Sequence, residues 1–536
     1  MKDILSVENM RKSDAATIKG GISGKELMAR AGKAIYDSVV WKAPVAIICG
    51  VGNNAGDGYV LAGLLKDAGI ECSLILLEDR FSEDGKYYFD KCFTDIMPKT
   101  AGENNLKDKG GIDVKLIDEL ENLFSYKTVV DCIFGTGFRG EVKGKAKTAI
   151  ELINASGAYV VAVDINSGLN GDSGMCGKAS QTQTGDSRLT ASCAEDICVR
   201  SDITISIGSY KPGHFLSMAK DVMKQKVNCD IGIRPVEKPY KLVEAQDFAE
   251  FFCSRKNFSN KGTYGYIAII GGSKKYSGAL RLACMANAAM RSGAGVVKVG
   301  LPNSLYHDLI PLILESTVFP LSDEDGELVF NEEELKALIS NVKTVAFGMG
   351  IGLSDEVSKC LRFLLENYTG ILIVDADGLT LLSKMDREIL RHSKCKTVLT
   401  PHLREFERLS GCSKEEILAN PVKMAETYAL DTGTVVLLKG PSTIVTDGVR
   451  TYITDAGCAG MATAGSGDVL SGILSAVCSY IPDLPLVVAA GAYINGKAGE
   501  KAQEKTNPVS MTAGDTASSI AEVISECIIP AGCDTK

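Results

Sequence analysis

Tryptophan occurs once in 536 residues, histidine four times, and aromatic residues make up only 6% of the chain. The histidines, His214, His307, His392 and His402, lie far apart, and the 17 cysteines form no C-x-x-C pair. A His/Cys zinc site is therefore not expected. The odd cysteine number and settings such as AIICG and VVDCIFG read as reduced thiols serving as small core residues. Positive charge is not in excess: the net charge is −9. That argues against a general nucleic-acid or anionic-membrane binder. No apolar run reaches the ~18 residues of a membrane span. The N-terminal MKDILSVENMRKSD lacks the apolar core of a signal peptide. A cytoplasmic protein with neither nucleic-acid nor membrane partner is the expectation.

Hydrophobic content of 45% and charged content of 23% suit a globular protein. At roughly 150 residues per domain the length implies about two to four domains. Short apolar runs leading into glycine recur: VAIICGVGNN, TVVDCIFGTG, YVVAVDINSG and ITISIGSYKPG. A second series follows: YIAIIGGS, GVVKVGLP, TVAFGMGIG, ILIVDADGL, TVLTPH and TVVLLKGPSTIV. Each run reads as a buried strand entering a loop, with amphipathic stretches such as KELMARAGKAIYDSV between them. Alternating strands and helices predict two α/β domains with parallel sheets covered on both faces. The boundary is expected in GIRPVEKPYKLVEAQ, whose two prolines suit a linker. This places the domains at 1–235 and 240–532. Two polar stretches, 99–111 and 179–196, read as surface insertions.

In the first half, CGVGNNAGDGY (49–59) sits between the strand VAIIC and a helix, where free backbone N–H groups make a ready anion site. It is not the G-x-G-x-x-G dinucleotide fingerprint, and a plain strand–helix turn is the simpler alternative. Asp131 in VVDCIFGTGFRG and Asp164 in VAVDINSG add carboxylates at strand ends, the edge where open α/β sheets bind ligands. Asn54, Asp131 and Ser167 would supply hard oxygen ligands to a cation whose identity the sequence does not choose.

GVGNNAGDG, DCIFGTGFRG, VDINSGLNGDSG and SYKPGHFL, in this order over roughly residues 1–230, resemble the NAD(P)H-hydrate epimerases. The resemblance implies a Rossmann-like α/β/α sandwich that interconverts the R and S forms of hydrated NADH and NADPH (NADHX and NADPHX) and binds one potassium ion. It implies Asn54, Asp131 and Ser167 as K+ ligands. Substrate contacts would come from Asn53, Asn54, Ala55, Gly56, Asp57, Gly135, Thr136, Gly137, Phe138, Arg139, Gly140, Glu141 and Asp164. Asp164 would carry the acid–base step. The family usually has glycine at Ala55 and proline at Asn166. A methyl at 55 is awkward if φ is positive there, and loss of the proline is expected to loosen the loop.

In the second half, the glycine-dense GMATAGSGDVLSG (460–472) holds one acid, Asp468, at an expected helix start near Gly467 or Asp468. An aspartate there can be a simple cap. Beside N–H groups that receive a phosphoryl group it can also be the base that deprotonates an attacking hydroxyl. This is not a Walker A loop, since no G-K-[ST] follows. YIAIIGGS, TVAFGMGIG, VDADGLTLL, LTPHLREFERL, VVLLKGPSTIVTDG and MATAGSGDVLSGIL, over about residues 240–525, resemble the ADP-dependent NAD(P)H-hydrate dehydratases of the ribokinase-like superfamily. The resemblance implies phosphorylation of the hydrate hydroxyl by ADP, loss of phosphate, and release of AMP. By position, Lys439, Gly440, Pro441, Ser442, Thr443 and Gly467 would hold the nucleotide. Ala279, Gly352, His402 and Asp468 would line the hydrate site, with Asp468 as the base. Mg2+ is expected with ADP. Leu403-Arg404-Glu405 stands where the family often has Pro-Gly-Glu, so the loop beside His402 is expected to differ in shape.

The leading reading is a bifunctional repair enzyme acting on NADHX and NADPHX with ADP as co-substrate, expected to form a homo-oligomer. The alternatives are a ribokinase-like small-molecule kinase with an accessory nucleotide-binding domain, and a non-catalytic scaffold.

Overall fold

A computed structural model describes residues 1–94, 112–176, 197–252, 255–284, 286–479 and 483–528. The stretches 99–111 and 179–196 lie outside the described residues. The chain divides into two units, Asp3–Pro239 and a second made of Tyr240–Lys536 with Met1–Lys2. Among the described residues no helix is long and apolar enough to cross a membrane. The described free thiols include Cys49, Cys72 and Cys132, all buried.

The first unit is built on a seven-stranded sheet. Its order is Ile112–Leu116, Cys72–Leu76, Val45–Cys49, Thr128–Cys132, Tyr159–Val163, Ser201–Ile207 and Met223–Cys229. All neighbours pair in parallel. Period-2 alternation distributes each central strand between two cores. Val45, Ile47 and Cys49 pack with Leu27, Ile35, Leu61 and Leu65, whereas Ala46 and Ile48 pack with Ala149, Ile150 and Ile153. The Gly24–Asp37 and Asn53–Asp67 helices therefore cover one face and the Gly144–Ala155 helix the other. Strand order reverses between Val45–Cys49 and Thr128–Cys132. A doubly wound sheet opens its ligand crevice at such a point, beyond the strands' carboxyl ends.

The second unit's sheet runs from Tyr240–Leu242 through Thr451–Thr454, Thr443–Thr446, Val435–Leu438, Lys396–Leu399, Ile371–Val374, Thr344–Phe347, Tyr266–Ile270 and Val296–Pro302 to Thr317–Leu321. Thr443–Thr446 is antiparallel to both of its neighbours. The expected all-parallel sheet is thus mixed, and TVVLLKGPSTIV is a hairpin whose turn is KGPS. Gly440 and Pro441 break the apolar run there, and a two-way apolar run reads alike in either strand direction. The helices Ser466–Val477 and Leu484–Lys505 pack into the core that also holds Ile267, Ile269, Val299, Ala346 and Ile373.

Candidate active sites

The strand ends of the first unit converge on a cavity of about 740 Å3, lined by Asn53, Asn54, Asp57, Gly135, Thr136, Phe138, Arg139, Asp164 and Lys211, with Asp14 from the Val7–Lys19 helix. NNAGDG is not a loop. The helix begins at Asn53, with Gly52 as an extended N-cap, so Asn53, Asn54 and Asp57 project from its first turn and a half. Ala55 has no positive φ and is 1% exposed. Its methyl sits in the helix–sheet core without the strain that a left-handed backbone would impose.

Asp164 follows the Tyr159–Val163 strand in the left-handed region, φ 65°. Hydrogen bonds hold it there. Its N–H donates to the Ile205 carbonyl at 2.8 Å, its Oδ2 accepts from the Thr136 N–H at 3.0 Å, and its Oδ1 meets Lys211 Nζ at 2.6 Å. The Lys211 side chain is 1% exposed and the carboxylate 16%. Burial pushes the Asp164 carboxyl up, but the Lys211 charge and the two hydrogen bonds outweigh it and hold the group below its usual range. His214 Nε2 lies 2.7 Å from the Asp164 carbonyl, which can only accept, so Nε2 carries the proton. Its Nδ1 then accepts from the Lys211 N–H at 3.0 Å. Burial, then the nearby Lys211 charge, lowers His214 to about 4, so the ring is neutral at pH 7.

Two other cavity acids move the opposite way. Burial, then the Asp164 and Asp14 charges, pushes Asp57 well above its usual value, while burial takes Asp14 to about 6. One wall thus carries a carboxyl held below its usual range beside another pushed well above its own.

Behind this wall, Asp131 is fully buried. It accepts from Ser167 Oγ at 2.6 Å, Ser167 N–H at 2.8 Å and Ile133 N–H at 3.1 Å. Burial still raises it to about 6 against those bonds. Asn54 Nδ2 donates to the carbonyls of Phe134 (3.0 Å) and Val163 (3.2 Å), and its Oδ1 is buried with no partner.

Not every residue of the expected set reaches the cavity. Ala55 and Gly56 are buried, and Gly140 and Glu141 lie outside the lining, Glu141 paired with Lys143 and 64% exposed. Asn166 does not loosen its loop: it is fully buried and hydrogen-bonded through both ends of its amide.

In the second unit the Ser466–Val477 helix starts at Ser466, with Gly465 at φ 92° as its N-cap. Gly467 and Asp468 occupy its first turn, and a Cβ on Gly467 would stand 3.5 Å from both Lys439 Nζ and Asp375 Oδ2. Lys439 Nζ pairs with Asp375 Oδ1 at 2.9 Å and lies 3.8 Å from Glu405 Oε2. Asp375 Oδ2 accepts from Ser471 Oγ at 2.7 Å. Burial raises Asp375, but the Lys439 charge and hydrogen bonds prevail and keep it low. Burial, then the Asp375 charge, pushes Asp468 up to about 7. Between the acids of VDADGL, Ala376 has φ 48°, a strained conformation for a residue with a Cβ. Asp377 Oδ2 accepts from the Gly352 N–H at 3.0 Å.

His402 is half-exposed and caps the Leu403–Ser410 helix, its Nδ1 accepting from the Arg404 and Glu405 N–H groups while Glu405 closes the capping box. The chain therefore continues regularly through Leu403-Arg404-Glu405. Lys439 N–H donates to the Pro401 carbonyl at 2.9 Å, which brings the KGPST turn beside His402. Ser442 is buried and bonded to Asp455, and Thr443 is already in the next strand. Ala279 packs beside Gly350 in the loop that ends at Gly352. Lys211, His214, Asp375 and Glu405 were absent from the expected set. The motifs SYKPGHFL and VDADGL contain three of them and were the available signal.

Fold and sites define a two-unit α/β enzyme with a carboxylate–lysine pair, one partner of it buried, at the strand ends of each unit. A family model described as NAD(P)H-hydrate dehydratase matches residues 267–522, and one described as YjeF-related protein N-terminus matches residues 24–213. The bifunctional NAD(P)H-hydrate repair enzyme Nnr of Pyrobaculum aerophilum is 30% identical over 517 residues, 94% of each chain. Its namesakes in Archaeoglobus fulgidus (31% over 529 residues; 98% of this chain, 99% of that one) and Escherichia coli (31% over 519; 94% and 90%) are similarly alike. A solved structure, the ADP/ATP-dependent NAD(P)H-hydrate dehydratase of Bacillus subtilis co-crystallised with ATP/Mg2+, is 23% identical, with 53% of this chain and 98% of that one covered at a TM-score of 0.47. The chain belongs to the family of bifunctional NAD(P)H-hydrate repair enzymes.

Proposed function

We propose that the Asp3–Pro239 unit epimerises NADHX and NADPHX and that the Tyr240–Lys536 unit dehydrates the S form with ADP. The observation that carries this is the pair of opposed carboxylates: Asp164 held ionised by Lys211, and Asp468 raised to about 7 at a glycine-rich helix N-terminus. Asp164 accepts the proton of the hydroxyl on the hydrated ring carbon. The carbon–nitrogen bond of that carbinolamine opens to an aldehyde, and the ring nitrogen takes a proton from Asp57. Closure on the opposite face returns both protons, and the net change is inversion.

Asn54, Asp131 and Ser167 fit a monovalent cation. The orphaned Asn54 Oδ1, a hydroxyl and one carboxylate form an oxygen-only donor set of low charge. Potassium bound there would supply positive charge behind the 134–136 backbone.

In the second unit the hydrate hydroxyl attacks the β-phosphorus of ADP as Asp468 takes its proton, and the bridging bond breaks to release AMP. The carbon–oxygen bond then breaks with loss of a proton from the neighbouring ring carbon. Phosphate leaves and NADH or NADPH is restored. Lys439 and the Gly467 N–H face the transferring group, and Ala279, Gly352 and His402 border the hydrate. Among the described residues no cluster of three or more His, Cys or acidic side chains gathers for a metal. Mg2+ would enter with the nucleotide, whose phosphates it binds together with one or two carboxylates.

The test is absorbance at 340 nm with purified protein, mixed-epimer NADHX, Mg2+ and ADP. Full recovery of NADH, faster than spontaneous epimerisation, supports both activities. Recovery that stops at the S fraction removes the first. No recovery with ADP or ATP removes the second.

A further inference from the structure

Asp164 and Ser167 bracket two residues, and the second of them, Asn166, is fully buried with every polar atom of its amide engaged. Its Nδ2 lies 2.8 Å from the Val199 carbonyl, 3.0 Å from Ser201 Oγ and 3.1 Å from the Val222 carbonyl. Its Oδ1 accepts from Thr204 Oγ1 at 2.6 Å and lies 3.3 Å from Ser201 Oγ. Ser201 and Thr204 are buried, and their hydroxyls lie 2.8 Å apart. One side chain thus ties the segment after Asp164 to the Ser201–Ile207 strand and to the end of the Ala219–Val222 helix.

The flanking backbone follows from this anchor. The Asn166 carbonyl accepts from the Leu169 N–H at 3.1 Å, and the Ser167 carbonyl accepts from the Val199 N–H at 2.9 Å. Asp164 departs from the strand at φ 65°, a conformation that a non-glycine residue keeps only when its surroundings over-determine it. His214 grips the Asp164 carbonyl on one side. On the other, the chain has two residues in which to reach Ser167, whose hydroxyl must meet both Asp131 and the Phe134 N–H.

We propose that Asn166 is a positioning residue for epimerisation. Through Ser201 and Thr204 it fixes the segment that aims the Asp164 carboxylate and the Ser167 hydroxyl. The proposal rests on Asp164 being the epimerase base, as argued above. Thr204 is the sharper probe, because it does not line the cavity and its hydroxyl meets the segment after Asp164 at Asn166 Oδ1.

The test compares full-length Thr204→Val, Thr204→Ser, Asn166→Ala and the unaltered protein. Epimerisation is followed under saturating and limiting R-NADHX. Dehydration of S-NADHX and the thermal midpoint are measured on the same samples. Misplacement by part of an ångström is expected to lower the epimerase kcat by about tenfold to a hundredfold. Thr204→Val and Asn166→Ala should show that loss with KM within about twofold, Thr204→Ser should restore kcat, and dehydration should be unchanged. Equal kcat in Thr204→Val and the unaltered protein overturns the proposal. So does a loss that Thr204→Ser fails to restore, since that marks packing and not the hydrogen bond. If Asn166→Ala does not fold, the Thr204 pair decides alone. Absence of epimerisation in the unaltered protein would instead overturn the assignment of Asp164 itself.

Discussion

Asp468 accepts a proton only as a carboxylate, and burial beside Asp375 sets that state near pH 7. A base whose pKa is raised works above that pKa, so dehydration should climb as pH rises through it. The kcat/KM for S-NADHX is expected to increase about tenfold from pH 6 to pH 8 and then level, as the ionised fraction does. Asp468→Asn should remove this limb together with at least about 100-fold of the rate while ADP still binds. Asp164 has the opposite setting. Lys211→Met removes the charge that offsets burial, so the Asp164 carboxyl should rise and the acidic limb of epimerisation should move to higher pH. An unshifted limb would show that Lys211 does not set the state of the base. These two aspartates were legible because each ends a strand or opens a helix in a glycine context. The ion pairs around them were not. Lys211, outside the expected set, is 47 residues from Asp164, and Lys439, expected only as a nucleotide contact, pairs with Asp375 64 residues away. No local pattern encodes pairing at that range.

Among the elements, backbone details decide which stretches stand out. Strand runs such as VAIIC and TVVDC stand out because both faces are buried. The start of the Asn53 helix did not, since glycine and asparagine favour loops until Gly52 and the sheet edge supply a cap. Two substitutions probe helix starts directly. Ala55→Gly would install the residue the family usually carries. In a helical, buried position it should cost about 0.5–1 kcal/mol of stability in the first unit and leave epimerisation unchanged. Chemical unfolding and the epimerase assay measure both. Gly467→Ala makes the converse case. The added methyl meets only ordinary van der Waals distances within the protein, so folding should hold. It would nonetheless stand 3.5 Å from Lys439 Nζ in the first turn of the helix, where the nucleotide phosphates are proposed to sit. A several-fold rise in the ADP dissociation constant with an unchanged thermal midpoint is expected, and equal ADP affinity would move the phosphates away from Gly467.

Across the whole molecule the two units solve one chemical problem with different electrostatics. Inversion at the hydrated carbon needs a base and an acid, the roles proposed for Asp164 with Lys211 and for Asp57, whose carboxyls are shifted in opposite directions. Elimination of water needs a better leaving group than hydroxide, hence a helix start that receives phosphate and a base poised near neutrality. Each unit carries its own core and its own carboxylate–lysine pair, so damage to one site should not propagate to the other. With mixed-epimer NADHX and ADP, Asp164→Asn should restore NADH rapidly up to the S fraction and then only at the rate of spontaneous epimerisation. Asp468→Asn should restore none while still driving the hydrate to its epimer equilibrium, followed by chromatographic separation of the two forms. Mixing the two variants should recover the full yield, because the S hydrate leaves one molecule and enters another through solution. A mixture that stalls at the S fraction would require the hydrate to pass between the sites of a single chain.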